Sequence, residues 1–229
     1  MAANVNASLK MRNQTLAITV AVLIVFLHVI REKWLRGVAT ASYTSMRFVN
    51  GSVVLVNGMS SWHEVITQEA TGSPVTHVGV VAHDASGVPF LFHTTRATGA
   101  TLTPLIPWLQ RTIGPDRVFV RHPSHHVDNQ AMEAAVRPLL GTPYTYRLWK
   151  AVFRRWGGPE LPFGGETHGL FCSELVCKVF QSLGVMNFTA SGLLPSLVLP
   201  CHFVDGGALP RQLRLGRMVE LVAFDFVDN

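Results

Sequence analysis

The sequence predicts an α+β domain, a small mostly antiparallel sheet packed on helices, with an N-terminal transmembrane helix ahead of it. Three observations lead there. Short apolar runs bounded by turn residues recur between residues 51 and 121 and return at 218–226. Stretches with three-and-four apolar spacing follow them. One continuous apolar run, Leu16 to Ile30, stands apart near the start. At 229 residues the chain holds one ordinary domain and a tail.

Taken in order, residues 1–14 read as a tail. Leu16 to Ile30 is LAITVAVLIVFLHVI, with His28 its only strongly polar member. A spanning helix takes roughly 17–25 apolar residues. Counting Thr15 and letting Arg31 and Lys33 snorkel stretches the span to 15–33. A cleaved signal peptide is the rival reading, with Ala39-Thr40-Ala41 as the cleavage-like site. The charged stretch REKWLR lies where a short neutral region belongs, so the uncleaved single-pass anchor is preferred. A buried core helix is the plainer alternative. Residues 34–45 then form a linker and 46–229 the folded domain. The basic excess after the run and the unpaired cysteines favour a cytosolic catalytic domain. Glycosylation-type triplets at Asn50 and Asn187 point the other way.

Within the domain, Gly51 to Val56 is a β run closed by Asn57-Gly58, and Ser60 to Ala70 has a helix pattern. Thr76 to Ala82 is apolar at nearly every position, as a strand buried on both faces should be. The turn His83 to Gly87 leads into Val88 to His93, a hairpin with a five-residue loop. Arg117 to Arg121 is a further strand. Val127 to Leu140 reads as a helix ending at Gly141, its last turn weakened by Pro138. A second helix covers Tyr146 to Trp156, and a Gly/Pro-rich loop, Gly157 to Gly169, delivers the chain to Phe171-Cys172-Ser173-Glu174-Leu175-Val176. Met218 to Phe226 returns to β character.

The net charge of +5 invites a nucleic-acid reading, but the arginines are scattered and no aromatic-interleaved basic motif accompanies them. Nucleic acid is therefore not an expected partner. Three cysteines, Cys172, Cys177 and Cys201, exclude full internal pairing and form no C-x-x-C pair, so neither a disulfide framework nor a structural zinc site is expected.

Cys172, Leu175, Val176, Val179, Phe180 and Leu183 follow one helix face, which puts Cys172 in the first turn. Unpaired N–H groups there are expected to lower a thiol pKa and to stabilise an oxyanion. Cys177 and Cys201 read as small buried hydrophobes. A reactive thiol needs an imidazole, and the imidazole an orienting partner. Of ten histidines, His77 and His93 lie in apolar strands, where a polar ring needs a reason. A hairpin symmetric about Ala85 pairs Ala82 with Val88, Val80 with Phe90 and His77 with His93, facing each other at roughly 5 Å. Both rings are expected on the face that meets the Cys172 helix. The plainer reading is two stacked core histidines. His122, His125 and His126 suggest a metal less than they suggest solvated loop residues, and His83 and Asp84 serve a turn.

Ala70-Thr71-Gly72-Ser73-Pro74, T-H-V-G-V-V around His77, G-T-P-Y at Gly141 to Tyr144 and F-C-S-E-L-V at Phe171 to Val176 resemble the permuted papain-like amidases, the NlpC-related cysteine hydrolases of YiiX/YebB type. The resemblance spans about 51–205, with His before Cys, the permuted order. It implies a circularly permuted papain-like core with Cys172 as nucleophile, His77 as general base and His93 as the third polar group. Many permuted members carry Glu at that third position, whereas non-permuted relatives often use His. The implied chemistry is acyl transfer through a thioester, needing neither metal nor organic cofactor. Expected substrates are a peptide or other amide, or a lipid acyl group as in lecithin:retinol acyltransferase-like enzymes. The non-enzymatic alternative is an inactive, membrane-tethered binding module.

Overall fold

The structure, a computed structural model, describes residues 38–58, 68, 73–145, 169–186, 195–204, 209, 213 and 215–222. The chain divides into two compact units, Met1–Val38 and Ala39–Asn229. The predicted anchor, the helix over 146–156 and, Gln68 excepted, the helix over 60–70 lie outside the described residues. Among the described residues no helix is long and apolar enough to cross a membrane.

The second unit is built from β1 (Ala39–Ser42), β2 (Val53–Asn57), β3 (His77–His83), β4 (Pro89–Thr95), β5 (Gly99–Pro104), α1 (Leu105–Thr112), β6 (Arg117–Arg121), α2 (Asn129–Val136), α3 (Cys172–Ser182) and β7 (Val219–Val222). The strands form one sheet in the order β1-β7-β6-β2-β3-β4-β5. Every pair is antiparallel except β1 with β7. The sequence-derived α+β class holds. β2 and β3 are central, and all of β2 is buried, which is why their sequences show no polar alternation. β1 falls within the stretch read as linker; its pairing with β7 starts the folded unit at Ala39.

Val54, Val81, Leu91, Val118, Val120 and Leu221 share one face, and Leu105 and Leu109 of α1 pack on it with Phe48. α2 faces Ala82, Phe90 and Leu102 on the opposite side across a groove of about 640 Å³. α3 packs beside α2 on β3 and β4. Asp128 caps α2 by accepting a bond from the Ala131 N–H at 2.8 Å. The helix ends at Val136, where Pro138 withdraws a donor, and continues as one 3₁₀ turn, Arg137–Leu139. That is the helix read over 127–140, shortened by its proline.

The hairpin loop has the expected length but a different centre. Observed pairs are Val80 with Phe92, Val81 with Leu91, Ala82 with Phe90 and His83 with Pro89. The loop is therefore 84–88, centred on Ser86 and not Ala85. Asp84 moves it: its carboxylate accepts bonds from Ser86 N–H, Ser86 Oγ and Val88 N–H at 2.7–2.9 Å. A one-residue move of the centre shifts pairing by two, so His93 comes opposite Gly79 and not His77. An even shift leaves every side chain on its original face.

Candidate active site

β3 and β4 part company at one end. Their ladder stops at Val80–Phe92, while β3 stays paired to β2 as far as His77 and β4 to β5 as far as Thr95. Thr76 and His77 together oppose Val56, a bulge: Val56 is the partner of His77, and its carbonyl also accepts the Thr76 N–H at 2.8 Å. The Thr76 hydroxyl accepts from Gly58 N–H at 3.2 Å and so holds the strand start. Gly79 lies opposite His93, and a Cβ there would come within 3.1 Å of the His93 Cβ and 2.7 Å of a Leu91 methyl. The absent side chain lets the His93 ring lean along the strand toward His77.

The two rings meet across the splay. His77 Nε2 and His93 Nδ1 are 3.0 Å apart, with the rings edge-on at 74°. His93 Nε2 is bonded to the Thr103 hydroxyl at 3.1 Å, and Trp108 of α1 backs the same ring. Thr103 went unrecognised in the sequence because β5, with Gly, Thr and Pro and few apolar residues, carries no strand signal. By alternation with Val81 and Leu91, both rings lie on the α1 face, not on the α3 face expected from the sequence.

Cys172 opens α3, as its spacing predicts; Phe171 is the extended residue before it, with ψ 160°. The helix is held by Leu170. The Leu170 N–H donates to the Pro143 carbonyl at 2.8 Å, and the Thr142 carbonyl accepts the Ala100 N–H of β5 at 2.8 Å. The G-T-P-Y segment thus ties the approach to Cys172 onto the sheet. Val81 N–H donates to Ser52 of the β2 side. Amides alternate along a strand, so Val78 N–H points instead toward β4, into the splay. The backbone N–H groups of Val78, Ser173 and Cys172 itself all act to lower the Cys172 thiol pKa. Val78 directly follows His77 in β3.

Burial decides the protonation states. Cys172 is 1% exposed, and its thiol is pushed up to about 12 against the opposing pull of those N–H groups. Burial works against the lowering expected from the helix start, and desolvation is the larger influence. Burial also pushes His77 down to about 4 and, with His77 beside it, His93 down to about 3. The resting site is a thiol with two neutral imidazoles. Thr94, next to His93, is 1% exposed, and among the described residues its hydroxyl has no hydrogen-bond partner.

Other expectations sort as follows. Cys177 is buried and Cys201 partly so, both free, their thiols raised chiefly by burial. His122 is not simply solvated: it bonds the Ser52 hydroxyl at 2.9 Å and lies 3.2 Å from the Met46 sulfur. Among the described residues no three His, Cys, Asp or Glu side chains converge. Asn50 is buried, donating to Val127 O and Asn129 Oδ1 and accepting from His83, so its triplet has no room for a glycan in the folded chain. Asn187 lies outside the described residues. Arg121, 3% exposed, donates to the Phe203 and Gly216 carbonyls, a buried structural cation that the RVFVR run does not announce.

The family model for the permuted papain-like amidase enzymes, the YaeF/YiiX, C92 family, matches residues 47–200, more than half the chain. The chain belongs to that family. The family is one of papain-like cysteine hydrolases. Among solved structures, the chain is similar to one described as metalloprotein yiiX from Escherichia coli O157:H7. The two are 17% identical, with 78% of this chain and 91% of that one covered and a TM-score of 0.47. No curated protein matches the sequence.

Proposed function

We propose that the chain hydrolyses an amide or acyl ester through a thioester on Cys172, with His77 as general base and His93 orienting it. The observation that carries this is the 3.0 Å bond between His77 Nε2 and His93 Nδ1, next in the strand to Val78, whose N–H acts to lower the Cys172 thiol pKa. That bond occupies Nε2, so Nδ1 is the nitrogen left to take a proton. As the Cys172 sulfur bonds to the substrate carbonyl carbon, its proton passes to His77 Nδ1. First-turn amides of α3 stabilise the oxyanion. The imidazolium, donating Nε2–H to His93, returns the proton to the leaving amine or alkoxide as the carbonyl re-forms. Water, deprotonated by His77, then releases the acid and restores the thiol.

The apolar run Leu16 to Ile30 with its basic flanks supports a membrane tether, and with it lipid-linked amides or lipid acyl groups as substrates. The test is labelling of the detergent-solubilised protein with acyl and peptidyl thiol-reactive probes. Labelling is expected at Cys172, absent in Cys172→Ala and slowed by about 100-fold in His77→Ala. An unaltered rate in His77→Ala, or no labelling at all, leaves the inactive binding module. Membrane attachment is checked by carbonate extraction: release into the supernatant refutes the tether.

A further inference from the structure

The bonded chain His77–His93–Thr103 has a direction, and only one direction suits a base. If Thr103 Oγ1 accepts from His93 Nε2–H, then His93 Nδ1 is a bare acceptor. It takes the Nε2–H of His77, and His77 Nδ1 keeps its lone pair. If the threonine donates instead, every proton moves one nitrogen along: His93 carries Nδ1–H, His77 carries Nδ1–H, and the atom that must receive the thiol proton is already protonated. Burial lowers the pKa of both rings and so favours their neutral forms, for which the tautomer sets the state of the site. We propose that Thr103 is a positioning residue whose hydroxyl, by accepting from His93 Nε2–H at 3.1 Å, holds the chain in its base-competent direction.

Geometry supports the assignment. Thr101 lies opposite His93 and Thr103 opposite Leu91, so Thr103 is a diagonal neighbour of His93 on the same face of the sheet. With the opposite end of the ring engaged by His77 and its flank by Trp108, the hydroxyl is the partner left for Nε2. His93 is 5% exposed, so water is a poor substitute. Thr103 touches no reacting atom; it acts through two rings.

This inference rests on Cys172 and His77 forming the reacting pair, and the test separates the two ideas. Thr103→Val keeps shape and removes the acceptor; Thr103→Ser restores it. Two readouts are taken on the full chain, folded by circular dichroism: the His93 tautomer from ¹⁵N chemical shifts, and the iodoacetamide alkylation rate of Cys172 by mass spectrometry. In Thr103→Val, His93 is expected to move from Nε2–H toward Nδ1–H and Cys172 alkylation to slow by about tenfold, as loss of an outer-shell partner of a histidine does. Thr103→Ser should return both to within about threefold of the parent rate. An unchanged His93 tautomer in Thr103→Val, or a serine variant as impaired as the valine one, overturns the role of Thr103. Alkylation that ignores His77→Ala as well overturns the Cys172–His77 pair instead, while the tautomer readout still judges Thr103.

Discussion

Thr94 and Gly79 show how closely the site depends on single groups. A buried hydroxyl without a partner costs desolvation and returns nothing, so Thr94→Val should raise stability by about 1 kcal/mol, read as a higher urea midpoint. A lower midpoint means the hydroxyl has a partner in the native state. Gly79→Ala tests the reverse, a side chain where none fits. The Leu91 methyl can swing away, but the His93 Cβ at 3.1 Å is rooted in the strand, so His93 must retreat. We expect a loss of about 1–3 kcal/mol, and alkylation of Cys172 as slow as in His93→Ala. A normal rate would dissociate His93 from the chemistry.

Among elements, the path from β5 to α3 decides where the thiol stands. Gly99 has φ +67°, and a Cβ on it would lie 2.4 Å from the Thr142 carbonyl oxygen, the acceptor that ties the G-T-P-Y segment to Ala100. Gly99→Ala must break that tie or distort β5, at a cost of about 3 kcal/mol or more. Gly87→Ala is the control: φ is +82° but nothing lies within 4 Å, so only the left-handed backbone is charged, about 1 kcal/mol. Equal destabilisation in urea melts would show that the Thr142 contact contributes nothing. On the same path, a Cβ at Gly169 would come within 2.8 Å of the Pro143 carbonyl oxygen.

At the scale of the whole molecule, buried neutral histidines couple folding to pH. His77 titrates near 4 and His93 near 3 when folded, against 6.5 unfolded, both lowered by burial. Between pH 6.5 and about 4 the unfolded chain binds more protons than the folded one, so stability rises with pH across that window. It is fully present above 6.5 and lost as pH falls toward the folded values. His83, His122 and His202 are shifted the same way and add to the slope. The melting temperature should fall steadily from pH 7 to 4.5, and less steeply in His93→Gln. A flat profile would mean that the histidines are hydrated in the native state.

The strand around His77, the helix beginning at Cys172, their permuted order and the common face of His77 and His93 are legible in the sequence. Each rests on local periodicity or on parity, and parity survived the two-residue shift that the Asp84 turn imposed on the hairpin. What the sequence left open was set by contacts between distant segments. β1 is too short and polar to signal itself and exists by pairing with β7. β5 and α1 were hidden by Gly99, Pro104 and Pro107, and with them Thr103. Burial of Cys172 by three-dimensional packing sets a desolvation cost against the pull of the helix start, and local sequence does not reveal that burial. The splay between β3 and β4 likewise has no sequence pattern. The β3–β4 ladder ends just beyond the close approach of Gly79 and His93 and near the bulge that β3 forms against β2, and only the folded sheet brings those features together.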